Sequence, residues 1–138
     1  MKGFVFLLDT DIVSELVKRT PDAKVMARLD QEDDANLYIS AIVVFELRFG
    51  AARSSKPAAL WSRIARDIIS RFNVLPFSET DALAAADLMS TAVGAGRNLA
   101  VQDLLLAGAA FSRGLTFVTR NRRDFNPIVG LRIENWFD

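Results

Sequence analysis

The chain contains neither cysteine nor histidine among its 138 residues. Without cysteine it can form no disulfide, no zinc–thiolate site and no thiol nucleophile. Without histidine it has no imidazole to act as a general base, as the partner of a nucleophile or as a metal ligand. Triad hydrolases, zinc proteases and histidine-based ribonucleases are therefore excluded, unless a partner chain supplies the missing group.

Long apolar segments and net charge are also lacking. The longest uncharged stretch, residues 35–45, is too short to span a bilayer as a helix, and the apolar run 4–8 is too short for a signal-peptide core. We therefore predict a cytoplasmic protein with no membrane partner. Lysine plus arginine (17) balance aspartate plus glutamate (17), which permits a nucleic-acid partner without requiring one.

The length suits one domain that buries roughly two-thirds of its unfolded surface, so we predict a single domain over residues 1–138. Strand and helix patterns alternate with no linker or repeat between them, which favours an α/β fold with a parallel sheet between helical layers. The predicted strands are 4–9, 37–40, 73–77, 115–119 and 131–136. The predicted helices are 11–19, one from Pro21 to the acidic run 32–34, 41–53 capped by Ser40, 58–72, 82–93 after a capping box at 78–81, and 101–113.

Four carboxylates adjoin apolar segments. Asp9 ends the first strand, Glu46 interrupts an apolar helix, Asp103 precedes an apolar run, and Asp124 lies with Asn121 in the turn after the fourth strand. A lone carboxylate near a core costs several kcal/mol or shifts its pKa, and gathered carboxylates repel one another unless a cation lies between them. The pattern predicts oxygen ligands for Mg²⁺ or Mn²⁺, and hence phosphoryl-transfer or phosphodiester chemistry.

Each of these residues has a structural alternative. Asp9 could cap the following helix, although either of the next two residues could fill that role. Glu46 could pair with a neighbouring arginine, Asp103 could interact with its helix macrodipole, and Asn121 and Asp124 could form an ordinary polar turn. The remaining acids of note are interpreted as solvated faces and caps: Glu15, Asp30, the run 32–34, Asp81 and Asp87.

Four segments in order, 7–16 (LLDTDIVSEL), 39–47 (ISAIVVFEL), 103–110 (DLLLAGAA) and 114–125 (GLTFVTRNRRDF), resemble the motifs of the PIN-domain ribonucleases, specifically the VapC-type toxins of bacterial toxin–antitoxin pairs. The resemblance implies a three-layer sandwich with parallel strand order 3-2-1-4-5. It also implies a Mg²⁺-dependent endoribonuclease, with Mn²⁺ as a substitute, that cleaves tRNA or rRNA. The expected partners are a VapB-type antitoxin, a second copy in a homodimer, and operator DNA bound through the antitoxin.

The resemblance also implies that Asp9, Glu46 and Asp103 hold the metal. Asn121 and Asp124 are the further catalytic candidates, because the fourth acid of the family falls nearest Asn121 here. Which of the two acts, and whether one or two ions bind, stays open. Residue 11 is Asp where the family commonly has Asn, which adds negative charge beside the metal.

Two other functions are considered. One is a weakly catalytic or non-catalytic toxin-like subunit of a DNA-binding repressor complex. The other is a haloacid-dehalogenase-like phosphotransferase, because residues 9–11 (DTD) echo its Asp-x-Asp nucleophile pair. That chemistry needs a cationic partner for the transferring phosphate, and no lysine occurs after Lys56.

Overall fold

A parallel sheet with strand order β3-β2-β1-β4-β5 forms the centre of the computed structural model, which describes residues 5–125, 128 and 130–138. This order is the one that the resemblance implies. The strands are β1 (Phe6–Leu8), β2 (Leu37–Ser40), β3 (Asn73–Leu75), β4 (Thr116–Val118) and β5 (Ile133–Glu134). The helices are α1 (Thr10–Val13), α2 (Ala23–Gln31), α3 (Ala41–Ala52), α4 (Pro57–Ile64), α5 (Glu79–Gly94), α6 (Val101–Arg113) and α7 (Arg122–Phe125).

The central strand β1 explains why its sequence is continuously apolar. It pairs with β2 on one side and β4 on the other, with Phe6 opposite Leu37 and Leu8 opposite Val118. All three β1 residues are buried, as expected for a parallel strand covered on both faces. Because β1 and β4 run in the same direction, their carboxyl ends meet at one edge of the sheet, where Asp9 and Thr119 follow them.

Helices α5 and α6 pack closely against each other. Gly108 lies against the backbone of Ala85, so that a Cβ at position 108 would stand 2.5 Å from the Ala85 Cα. Aromatic edges complete the core near the sheet, with Phe6 against Trp136 and Phe117 against Phe125. Gly114 ends α6 in the left-handed conformation (φ 67°), which favours glycine.

Several predicted boundaries are wrong. The predicted helix 11–19 is instead the four-residue α1 followed by a 3₁₀ helix, Ser14–Val17. The second helix begins at Ala23 rather than Pro21, because the Asp22 carboxylate accepts hydrogen bonds from the first backbone N–H groups of the helix.

The predicted helix 58–72 ends early. After Ile64 it widens into a π-helical turn, Ala65–Ile69, because the Ser70 N–H bonds to the Ala65 carbonyl five residues back. The strands predicted at 73–77 and 131–136 are shorter than expected, and Phe4, the start of the first predicted strand, lies outside the described residues. Within the described ranges, no helix combines the length and apolar character needed to cross a membrane.

Glu15 and Asp81 are interpreted from the sequence as solvated or capping residues, and both prove to be buried. Glu15 is 3% exposed, pairs with Lys18 and accepts the Asp22 N–H. Asp81 is 1% exposed and does form the predicted capping box with Ser78. Burial alone would raise the pKa of Asp81, but hydrogen bonds from Arg113, Ser112 and Ser78 lower it to about 2. Both carboxylates therefore hold loops and helix ends within the fold.

Candidate functional site

Asp9 occupies the point where the carboxyl end of β1 turns into α1. Its Oδ1 accepts a hydrogen bond from the Thr10 N–H at 2.7 Å, so Asp9 itself is the N-cap, and the expectation that a later residue could cap α1 is wrong. Its Oδ2 accepts from the Thr119 hydroxyl at 2.8 Å, which ties β1 to the end of β4. Burial first, and then the charge of Asp11, raise the pKa of Asp9 to about 7, although the Thr119 hydrogen bond lowers it.

Glu46 reaches the same place from α3. Ser40 caps this helix as predicted, accepting from the Ile42 N–H at 3.0 Å. One helical turn and a half further on, Glu46 Oε1 accepts from the Thr10 hydroxyl at 2.8 Å. Burial raises the pKa of Glu46, the Thr10 hydrogen bond lowers it, and the charge of Asp103 raises it further. Glu46 is therefore linked to Asp9 through one intervening threonine.

The alternative role of Glu46 in an ion pair is not realised. No salt bridge joins Glu46 to any residue that the structure describes. Arg48 instead places its guanidinium over the ring of Trp61, 4.8 Å from the centroid.

Asp103 lies in the first turn of α6 and is held by Asn121. The Asn121 side-chain amide donates to Asp103 Oδ2 at 3.1 Å, and the Asn121 backbone N–H donates to the Thr119 hydroxyl at 3.1 Å. Burial raises the pKa of Asp103 and the charge of Asp124 adds to this, whereas the Asn121 hydrogen bond lowers it. Asn121 thus connects Asp103 to the network that contains Asp9.

Asp124 is peripheral to this network. It lies in the short helix α7, its side chain is exposed, and its backbone carbonyl accepts a hydrogen bond from Arg97. Its carboxylate acts on Asp103 through charge alone. The structure therefore brings Asp9, Glu46, Asp103 and Asn121 together through hydrogen bonds and leaves Asp124 at the rim.

Asp11 is a site residue that the set of predicted ligands omitted. Its Oδ1 is buried and has no hydrogen-bond partner in the described part of the chain. Burial raises the pKa of Asp11, and so does the charge of Asp103, while the nearby Arg120 lowers it. The Asp-x-Asp spacing at 9 and 11 was the available signal, but spacing alone does not show that a second carboxylate turns towards Asp103.

The donor set fits a hard divalent cation. Four acids have raised pKa values, and each faces the charge of at least one other carboxylate. All available donors are oxygens, which suits Mg²⁺ or Mn²⁺, and the unpartnered Asp11 oxygen is free to accept. No three acidic side chains of the described ranges converge closely enough to ligate one ion directly. Mg²⁺ uses one or two carboxylates and keeps several waters, so this separation is compatible with it.

Comparison with known proteins gives the same family as the motifs. A sequence profile of the PIN domain matches residues 6–129, and the chain belongs to the PIN-domain family. It is 33% identical over 131 residues to the tRNA(fMet)-specific endonuclease VapC of Shigella flexneri, covering 95% of this chain and 97% of that protein. It is 35% identical over 139 residues to the toxin FitB of Neisseria gonorrhoeae, covering 97% and 100%.

The same fold occurs in a solved VapBC complex. The chain superposes with a TM-score of 0.87 on VapBC2 from Rickettsia felis bound to a DNA fragment from its promoter, with 28% identity and coverage of 96% of this chain and 99% of that one. The three-layer fold and strand order implied by the four motifs are thereby confirmed.

Proposed function

We propose that this protein is a metal-dependent endoribonuclease toxin that cleaves cellular RNA, with tRNA or rRNA as the substrate. The observation that carries the proposal is the continuous network that joins Glu46, Asp9 and Asp103 through Thr10, Thr119 and Asn121. It stands at the carboxyl edge of β1 and β4, where open α/β sheets bind ligands. The tRNA endonuclease of Shigella flexneri supports the choice of substrate.

In this proposal Asp9, Glu46 and Asp103 hold Mg²⁺, one or two of them directly and the rest through its water molecules. Mn²⁺ can substitute for Mg²⁺, and Asp11 adds negative charge beside the ion. When bound, the ion would lower the pKa of a water molecule and offset charge on the scissile phosphate. The chain has no histidine, so a carboxylate of the site would have to accept the proton of the attacking water.

The threonines and Asn121 act on these acids rather than on the substrate. The Thr10 hydroxyl fixes the rotamer of Glu46, the Thr119 hydroxyl fixes that of Asp9, and the Asn121 amide fixes that of Asp103. Such supporting hydrogen bonds orient ligands and tune a metal site. Asp124 contributes through its charge at the rim and remains the candidate ligand for a second ion.

The proposed partners are a second copy of the chain and a cognate antitoxin. Phe45 and Phe49 are 65% and 61% exposed and stack on each other along α3, on either side of Glu46 in sequence. Exposed aromatic pairs of this kind indicate a protein interface. We propose that an antitoxin arginine reaches the acids and replaces the metal charge, and that the antitoxin carries the complex to operator DNA, as the DNA-bound VapBC2 complex suggests.

The test is incubation of total cellular RNA with the purified protein in Mg²⁺, Mn²⁺ or EDTA, followed by mapping of the new RNA ends. We expect discrete cleavage with either metal and none with EDTA. Asp9→Asn and Asp103→Asn should abolish it, whereas Asp87→Asn, an exposed acid on α5, should leave it unchanged. A folded protein that never cleaves RNA but forms an antitoxin–DNA complex would instead be a non-catalytic subunit of a repressor.

A further inference from the structure

A cleft opens beside the acidic network. It has a volume of about 440 Å³ and is lined by residues 120–124 together with Asn135 and Asp138. Asn121 belongs both to this lining and to the network, because its amide donates to Asp103. A substrate that lies over Asp103 and extends past Asn121 therefore enters this cleft.

Arg120 stacks on an aromatic ring at the cleft. Its guanidinium lies over the Phe137 ring, 3.9 Å from the centroid. The two residues are also tied through Asn135, whose side chain donates to the Arg120 carbonyl at 3.5 Å and accepts the Phe137 N–H at 2.9 Å. The side chain of Arg120 is exposed and makes no hydrogen bond or ion pair with any residue that the structure describes. A guanidinium stacked in this way keeps its N–H edges free for bidentate contacts.

Arg122 and Arg123 add two further exposed cations. Neither forms a salt bridge within the described ranges, so the lining carries three unpaired arginines against the carboxylates of Asp124 and Asp138. The acidic network itself repels phosphate, so a polyanion needs positive charge nearby to approach it. The cleft supplies that charge immediately beyond Asn121.

We propose that Arg120, Arg122 and Arg123 form a phosphate-binding subsite for single-stranded RNA, which holds the nucleotides on one side of the scissile bond. The subsite rests on the proposed ribonuclease function. Arg120 binds a phosphate through its N–H edges, and the guanidinium face away from Phe137 can stack with a base. Contacts to phosphate do not read sequence, so the subsite sets which phosphate lies over the acids rather than which base is chosen.

The experiment measures binding of a short single-stranded RNA, protected from cleavage by 2′-O-methyl groups, at several salt concentrations. Arg120→Gln should weaken binding about tenfold, the range of one charge-assisted hydrogen bond. It should also make the dependence of log K on log salt shallower by roughly 0.7, the value for one phosphate contact on a single strand. The double variant Arg122→Gln/Arg123→Gln should also bind RNA more weakly and show a shallower salt dependence. Steady-state cleavage should show a raised KM with little change in kcat.

The matched control is Arg63→Gln. Arg63 is exposed on α4, the helix that precedes β3 at the opposite edge of the sheet from β5. This variant should keep the wild-type affinity and salt slope, and thermal melting of every variant checks folding. Phe137→Leu, which removes the stacking partner of Arg120, should reproduce part of the Arg120→Gln loss.

The possible results test the arginine subsite and the ribonuclease function separately. Wild-type cleavage with unchanged RNA affinity in both arginine variants would overturn the subsite and leave the ribonuclease proposal standing. A wild-type protein that neither binds nor cleaves RNA would overturn both. If the arginine variants lose affinity for the antitoxin but not for RNA, the cleft binds an acidic segment of the protein partner, and the RNA assignment is wrong.

Discussion

Asp9→Asn should stabilise the metal-free protein at alkaline pH, and this stabilisation should shrink as the pH falls below about 7. The pKa of Asp9 rises from 3.8 to about 7 on folding, because burial and the charge of Asp11 disfavour its ionised form. Between these two pH values the folded state binds more protons than the unfolded state. The contribution of protonated Asp9 to the free energy of unfolding is therefore fully present below pH 3.8 and is lost as the pH rises through about 7.

The size of the effect follows from the same shift. Each pKa unit is worth about 1.4 kcal/mol, so a shift of about three units sets an upper limit of roughly 4 kcal/mol at pH 8.5. Asparagine matches the protonated acid in shape. Its oxygen can accept the Thr10 N–H and its amide can donate to the Thr119 oxygen, which are the two groups that Asp9 contacts at 2.7 and 2.8 Å. Reorientation of the buried Thr119 hydroxyl removes part of the gain, so we expect about 1–3 kcal/mol.

The assay is chemical denaturation of wild type and Asp9→Asn in EDTA at pH 5 and pH 8.5, with equal denaturant slopes required for comparison. The variant should be more stable than wild type at pH 8.5, and its advantage should be smaller by about 2–3 kcal/mol at pH 5, because Asp9 of the folded wild type is protonated there. Addition of Mn²⁺ at pH 8.5 should stabilise wild type and reverse the order. A variant that is less stable by the same amount at both pH values would show that Asp9 serves the fold as a cap, and the reasoning would be refuted.

Three further predictions follow from the same contacts and from packing. Glu46→Gln should abolish cleavage and should not lower the melting temperature of the metal-free protein, because burial already disfavours its charge; melting well below wild type would make Glu46 a structural residue. Asn121→Ala should reduce cleavage more than Asp124→Ala, because only the Asn121 side chain hydrogen-bonds to a proposed metal ligand, Asp103. If Asp124→Ala instead costs more activity and also removes a second Mn²⁺ binding event in calorimetry, the site binds two metal ions. Gly108→Ala should destabilise the protein by about 1–3 kcal/mol, because the added Cβ would meet the backbone of Ala85 at 2.5 Å. Gly50→Ala, which has open space around it, should instead stabilise the protein by about 0.5–1 kcal/mol. Denaturant midpoints test both variants, and equal effects would contradict the packing of Gly108.

Most elements of the fold could be predicted because their signals are local. The continuous apolar run of β1 indicates a strand buried on both faces, and Ser40 and Ser78 indicate helix starts through their own hydroxyls. Gly114 likewise indicates the end of α6, because it adopts a positive φ there. Each of these features depends on a few neighbouring residues, so no tertiary knowledge is needed to recognise it.

The short helices and the buried acids could not be predicted in this way. The pattern at 11–19 suits one helix, but the burial of Glu15 against the Asp22 N–H accompanies a change to 3₁₀ geometry. Asp81 reads as an exposed capping residue until Arg113, 32 residues later in the chain, is placed against it. Tertiary contacts thus decide where the helix changes and which carboxylates are buried.

The candidate site could likewise be predicted from the sequence only in part. The acidic residue types beside apolar strands and helices already indicate an oxygen-ligand site, and the resemblance of the four motifs implies that it is a site of the PIN-domain kind. The hydrogen bonds between them do not, because the Asp9–Thr119 contact joins residues 110 apart and the Thr10–Glu46 contact joins residues 36 apart. Only the parallel register of β1 beside β4 and the packing of α3 against α1 set these distances. The roles proposed for Asp11 and Arg120 also depend on tertiary structure, since burial and proximity, rather than spacing along the chain, determine the charge that each side chain faces.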